Sequence, residues 1–197
     1  MVKRHRGALT FFAGLAVSLT LGWSLFPKAL YRQVEQPLRF SHRVHTGEAV
    51  GMACDACHRI DAGRRFVTIP PTSTCAECHA QPVGDSPDER TMVTDYIRKG
   101  REIPWLVYSR QPDHVSFSHP LHVKLANLPC ERCHGALGRT DAPPPYEENR
   151  LTGYSRRIWG RSIARVGLEP GEGNKMDDCS NCHRERGVAE SCIDCHK

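Results

Sequence analysis

Five Cys-x-x-Cys-His groups punctuate this chain: Cys54/Cys57 with His58, Cys75/Cys78 with His79, Cys130/Cys133 with His134, Cys179/Cys182 with His183, and Cys192/Cys195 with His196. Two thiols at that spacing can add to the two vinyl groups of one porphyrin, and the adjacent imidazole reaches the iron. The pattern is the attachment signature of c-type haem. All ten cysteines are used in it. The rival chemistries of a C-x-x-C pair are a redox dithiol, a disulfide and half a zinc site. Zinc sites pair two such units, and five units do not pair. A disulfide scaffold gives no reason for a His after every second Cys, and a redox dithiol belongs in a βαβ pattern that is absent here. The spacing implies five covalently bound haems c, with His58, His79, His134, His183 and His196 as proximal iron ligands.

Each iron has a sixth position. The chain has eleven histidines; setting aside the five proximal ones and His5, five remain: His42, His45, His114, His119 and His122. Four of them fall in two copies of one pattern, Phe40-Ser-His-Arg-Val-His45 and Phe117-Ser-His-Pro-Leu-His122. On a helical turn, residues three apart share a face and splay toward two different irons. His114 stands outside the repeat and reads as a surface residue as readily as a ligand.

These groups need scaffolding that the composition only thinly supplies. Aromatic residues make up 7% and charged residues 25% of 197 positions, so the chain alone would bury a small core and needs cofactors as staples. The expected fold is mostly α-helical and irregular with little strand, preceded by one N-terminal transmembrane helix. Gly7–Phe26 carries no charge, follows Lys3, Arg4 and Arg6, and holds Trp23 near its far end. About twenty apolar residues in a helix span a bilayer core, and the basic flank stays in the cytoplasm. A cleaved signal peptide is the competing reading; the segment PKALYRQ after it offers no small-x-small cleavage site. Either way the chain is exported. The expected location is the bacterial inner membrane, single span, with the haem region periplasmic and His5 on the other side.

The expected organisation is 1–37 tail, anchor and stalk; 38–80 a two-haem unit; 81–116 a bridge; and 117–197 a three-haem unit. Within the bridge, Met92, Val93, Tyr96 and Ile97 share one helical face, and Arg101–Tyr108 reads as extended. Residues 150–165 are arginine-rich, suited to docking or to pairing haem propionates, or to a plain solvated loop. The net charge of +5 reads as counter-charge to propionates. No nucleic-acid motif accompanies it, so nucleic acid is not an expected partner.

The motif F-x-H-x-x-H followed by C-x-x-C-H resembles the class III multihaem cytochromes, small bis-histidine electron carriers. The resemblance implies that the first His of each pair, His42 or His119, serves the haem attached next in sequence, at His58 or His134. The second, His45 or His122, serves a neighbouring haem, most simply that of His79 or His183. Three-haem members carry a distal His just before their last two attachment motifs. Here Met176 stands there instead, in NKMDDC. A thioether is a good axial ligand and raises the potential. Met176 is therefore expected opposite His196, with His114 as the rival.

A wider resemblance covers most of the chain. The anchor, the two-haem unit and the three-haem unit, joined by an IPW…PDHVSFSH segment, are similar to the pentahaem subunit of alternative complex III. That resemblance implies a membrane-bound electron-transfer subunit rather than an enzyme in its own right. It would pass electrons from a quinol-oxidising complex to a periplasmic cytochrome or oxidase. The implied partners are iron–sulfur and quinol-binding subunits and a monohaem cytochrome c or terminal oxidase. Two rivals stand beside it. One is the membrane-anchored quinol dehydrogenases that feed periplasmic reductases; their first motif is followed closely by a Met, whereas His58 is followed by RIDAG. The other is a catalytic multihaem reductase, which needs an open iron site. No G-x-S-x-G or H-E-x-x-H motif adds other catalytic chemistry.

Overall fold

The computed structural model describes residues 2–60, 67–107, 114–151, 176–189 and 191–196. The arginine-rich stretch beyond Leu151 and Tyr108 of the bridge lie outside the described residues.

The chain opens with a helix, Val2–Thr20, continued through a wider π-helical turn, Leu21–Leu25, into Phe26–Leu30. The run Gly7–Leu25 is apolar enough to cross a membrane, and none of it is buried among the described residues. Leu9, Phe11 and Trp23 each leave about two thirds or more of their surface open. An uncovered apolar stripe this large calls for a lipid or protein environment.

The helix hands over to strand β1, Tyr31–Val34, which pairs antiparallel with β2, Tyr146–Asn149. Tyr31 lies opposite Asn149 and Val34 opposite Tyr146. Arg32 is ion-paired to Glu148 across the ribbon, and Arg150 N–H donates to the carbonyl of Leu30 at 2.9 Å. This two-stranded ribbon is the one sheet among the described residues. The other described elements after the N-terminal helix are short helices joined by loops.

Buried apolar residues among those described are Leu38, Met92, Val93 and Ile103. Leu38, Met92 and Ile103 form one cluster, with Tyr96, Ile97, Trp105 and Cys75 packed on it. Met92 and Val93 sit in a helical stretch, Pro87–Thr91 followed by Met92–Ile97, so the expected apolar face turns inward. The extended segment after it is fastened by Thr72 and Glu102. The Glu102 carboxylate accepts from the backbone N–H (2.8 Å) and hydroxyl (3.1 Å) of Thr72, and Thr72 Oγ1 in turn accepts from Ile103 N–H at 3.0 Å. The carboxylate thereby satisfies an orphan donor at the start of helix Thr72–Ala76, which presents Cys75. The small cluster thus holds the 70–80 segment against residues 92–105.

The segments 38–80 and 117–151 interlock. Arg43 N–H donates to the carbonyl of Thr140 at 3.1 Å, its guanidinium pairs with Asp141 at 3.0 Å, and Thr46 Oγ1 donates to the carbonyl of Gly138 at 2.7 Å.

Candidate functional site

Four of the Cys-x-x-Cys-His motifs form a turn closed by the same bond. The His N–H donates to the first cysteine's carbonyl: His58 to Cys54 (2.9 Å), His79 to Cys75 (2.9 Å), His134 to Cys130 (3.0 Å) and His196 to Cys192 (2.9 Å). Both thiols of a motif lie three residues apart on one side of the turn, with the imidazole beginning the next. The Cys179–His183 motif lies inside the longer helix Met176–Glu185, which is followed by Gly187 (φ 66°). That left-handed glycine lets Val188 N–H return to the His183 carbonyl at 2.9 Å, a turn that favours Gly. The last motif, Cys192–Cys195, starts with a capping box. Ser191 N–H and hydroxyl both donate to Asp194 Oδ2, at 2.7 and 2.9 Å. Those bonds hold the Asp194 carboxyl below its usual range.

Cys78 is the exception among the expected attachment residues. The sequence gives it the same part as the second cysteine of every other motif, but the structure gives it a different setting. Cys57, Cys133, Cys182 and Cys195 are each partly covered while their first partners, Cys54, Cys130, Cys179 and Cys192, are exposed; in the Cys75 motif the order is reversed, and Cys78 is the exposed one. The reason is the apolar cluster. Cys75 packs against Leu38, Met92 and Ile103, so that side of the motif faces inward. The helix Thr72–Ala76 also stops short of Cys78, which sits in the following turn with its N–H on the Cys75 carbonyl at 3.3 Å. Cys78 still adjoins the neighbouring motif: it helps to raise the Cys57 thiol, after burial as the main cause.

The two F-S-H-x-x-H segments adopt one geometry. Phe40 meets His42 edge-on (centroids 4.9 Å apart) and stacks on His45 (4.5 Å). Phe117 meets His119 (4.9 Å) and His122 (4.5 Å) in the same two ways. The phenyl ring is a wedge that separates the two imidazoles and aims them apart. Ser41 and Ser118 provide the second fixed point. Each carbonyl accepts from Nδ1 of the second histidine, His45 or His122, at 2.8 Å. That bond leaves Nε2 as the free lone pair, the state a metal ligand needs.

The imidazoles meet in five pairs. His42 faces His58 with centroids 6.4 Å apart, His45 faces His79 at 6.1 Å, and His119 faces His134 at 6.3 Å. His122 faces His183 at 6.1 Å, and His114 faces His196 at 6.0 Å. Two imidazole nitrogens each about 2 Å from one metal leave ring centroids about 6 Å apart, so every pair has the spacing of two axial ligands on one iron. Each pair contains the His of a Cys-x-x-Cys-His motif, which sets two thiols beside the gap. The residues present fit haem c.

Four of these pairs are the ones the class III resemblance implies. The fifth differs from expectation. His114, not Met176, stands opposite His196, while Met176 opens its helix 65% exposed. The physical reason lies in the backbone. Val115 and His196 form an antiparallel bridge, and Ser116 N–H donates to the carbonyl of Cys195 at 2.6 Å. That pairing delivers the neighbouring His114 ring to His196.

The motifs also adjoin one another in a definite order. Burial, with Cys57 next to it, pushes the Cys75 thiol up. Burial pushes Cys130 up, and Cys54 adds to this as a neighbour and hydrogen-bond partner. His134 is lowered by burial and then by His58. Cys133 is raised by burial and by Cys182; Cys179 by burial, Asp178, Cys133 and Cys195. Read by neighbours, the sites run His79, His58, His134, His183, His196. In that order the two motifs within residues 38–80 run in reverse chain order, and Cys54 adjoins Cys130.

Beyond the motif residues, Glu89 touches a candidate ligand. Its Oε1 accepts from His79 Nδ1 at 2.6 Å. Nothing in the single sequence marks Glu89, whereas the serines inside the repeated F-S-H pattern were a visible signal. The Nδ1 of His42 is buried without a protein partner, and burial followed by His58 and His45 lowers that ring's pKa.

Residues 115–197 match the family described as cytochrome c7 and related cytochrome c. The chain is 40% identical over 210 residues to a protein of Nitratidesulfovibrio vulgaris (strain Hildenborough) described as the multiheme cytochrome c subunit of menaquinone reductase. The match covers 97% of this chain and 90% of that protein.

Proposed function

The chain belongs to the multihaem cytochrome c family, and on that premise we propose that it is a membrane-anchored pentahaem electron-transfer subunit of a respiratory complex that exchanges electrons with the quinone pool. The observation that carries the proposal is the set of five histidine pairs at 6.0–6.4 Å, each beside two thiols. Haem bound there supplies reversible one-electron storage at iron. The cysteines would hold it covalently, and the paired imidazoles would be its two protein ligands at iron. With His42, His45, His114, His119 and His122 as distal ligands, no iron position is left for a substrate. This reading favours electron transfer over a catalytic reductase. The neighbour order from His79 to His196 supports a single row with two ends, one for a donor and one for an acceptor.

The relative's name bears on direction. It describes a menaquinone reductase, which favours electrons moving from the periplasmic side toward the quinone. The resemblance to alternative complex III implies the reverse, from quinol to a periplasmic cytochrome or oxidase. In either direction the partners are quinone-binding membrane subunits and an iron–sulfur subunit, and the Gly7–Leu25 helix keeps the haem region beside them. The test is gentle detergent purification of the native complex with identification of its subunits. Haem reduction is then followed after adding a menaquinol analogue or, separately, a reduced periplasmic cytochrome. Haems that respond to neither, in a complex holding its full haem complement, would count against the proposal.

A further inference from the structure

The carboxylate of Glu89 is built into the His79 site from outside the attachment motif. Oε1 accepts from His79 Nδ1 at 2.6 Å and from Val83 N–H at 2.7 Å, while Oε2 accepts from Gly84 N–H at 2.9 Å. The side chain is 12% exposed. The 80–84 loop wraps it closely enough that a Cβ on Gly84 would lie 3.2 Å from Oε2. Other candidate ligands have neutral acceptors at Nδ1: Thr68 carbonyl for His58 at 3.2 Å, and the Ser41 and Ser118 carbonyls for His45 and His122.

We propose that Glu89 is a positioning residue that locks the orientation and tautomer of His79 and, through its negative charge, lowers the reduction potential of the haem held by His79. The inference rests on the five-haem reading above. An anionic acceptor at Nδ1 pushes electron density through the ring to Nε2. A more basic ligand stabilises ferric over ferrous iron, and a fixed charge in a partly desolvated place does the same through space. The carboxylate cannot relax away, because two backbone N–H groups hold it. The lowering would act on the His79 site alone, since among the described residues Glu89 touches none of the other paired imidazoles.

The test is a stepwise reductive titration of detergent-purified holoprotein, followed by haem absorbance, in wild type, Glu89→Gln and Glu89→Ala. Glu89→Gln keeps the shape and an acceptor oxygen but removes the charge. One haem's share of the absorbance change is expected to move to higher potential in both variants, while the other steps stay in place. A fully loaded Glu89→Gln protein that titrates like wild type overturns the proposal. A shift confined to Glu89→Ala also overturns it, because shape and not charge would then be responsible. If Glu89→Gln fails to load haem, Glu89→Asp, which keeps the charge but shortens the side chain, takes its place beside Glu89→Ala. A smaller upward move in Glu89→Asp than in Glu89→Ala supports the proposal, and an equal move in both, or none in Glu89→Ala, overturns it. Intact mass of the wild-type protein tests the five-haem reading separately: a mass short of five haems sinks that reading, whereas five haems with an unmoved potential sinks this inference alone.

Discussion

The imidazoles of His114 and His196 stack with their planes 19° apart and their centroids 6.0 Å apart, although one lies in the bridging segment and the other next to the C-terminus. The antiparallel bridge between Val115 and His196 sets this distance. If these two rings share an iron, His114→Ala removes one axial ligand and turns one low-spin haem high-spin. Met176→Ala, at an exposed helix start, leaves the spectrum unchanged. Electron paramagnetic resonance of the two holoproteins checks both. A Met-type charge-transfer band in the near infrared that disappears in Met176→Ala would restore Met176 as the ligand.

Haem count follows from the same geometry. Five pairs of rings beside five pairs of thiols predict an intact mass exceeding that of the polypeptide by five haems. Mutating Cys130 and Cys133 together to Ala should lower it by one. A wild-type mass carrying four haems, with one cysteine pair unmodified, would contradict the assignment.

Much of the site was legible in the sequence because covalent attachment demands a fixed spacing. Two thiols and an imidazole must lie at positions i, i+3 and i+4, about one helical turn, and a paired distal motif must place its histidines three apart. Ligand choices set by tertiary structure were not legible. His114 reaches His196 through a backbone bridge between segments distant in the chain, whereas only proximity to the last motifs favours Met176. The reversed exposure of Cys75 and Cys78 was hidden for the same reason: it depends on the cluster that Cys75 meets, not on the motif. Glu89 lies in a charged helix start, Pro87-Asp-Glu-Arg-Thr91, where an exposed carboxylate is the default expectation. The β1–β2 ribbon was equally hidden. Tyr31–Val34 and Tyr146–Asn149 are four residues each, too short for an alternation to stand out, and cross-strand pairs such as Arg32–Glu148 become visible only once the ends meet.

The small apolar cluster makes a stability prediction. Leu38 is 5% and Ile103 6% exposed, and they pack together with Met92. Leu38→Ala should destabilise the holoprotein by about 2–5 kcal/mol, the range for truncating a buried Leu, because so small a core has few neighbours to close the cavity. Val50→Ala, at a residue 51% exposed, should lie within about 0.5 kcal/mol of wild type. Denaturant unfolding followed by far-ultraviolet circular dichroism measures both. Equal midpoints would show that the cluster does not hold the 70–80 segment in place.

The N-terminal helix makes the last prediction. Its apolar run Gly7–Leu25 is not buried among the described residues, and three basic residues, Lys3, Arg4 and Arg6, precede it. A helix of that length matches the hydrocarbon thickness of a bilayer, and the basic flank favours a cytoplasmic N-terminus. The ribbon begins directly after it, since Tyr31 already pairs with Asn149. A secreted form cut before Tyr31 therefore keeps both strands, the Leu38 cluster and all five motifs. It should be soluble without detergent and carry the same haem complement, whereas the full chain should sediment with membranes. N-terminal sequencing of the native protein separates anchor from cleaved leader. A mature start within the first ten residues fits the anchor, and a start beyond Trp23 in a freely soluble protein rules it out.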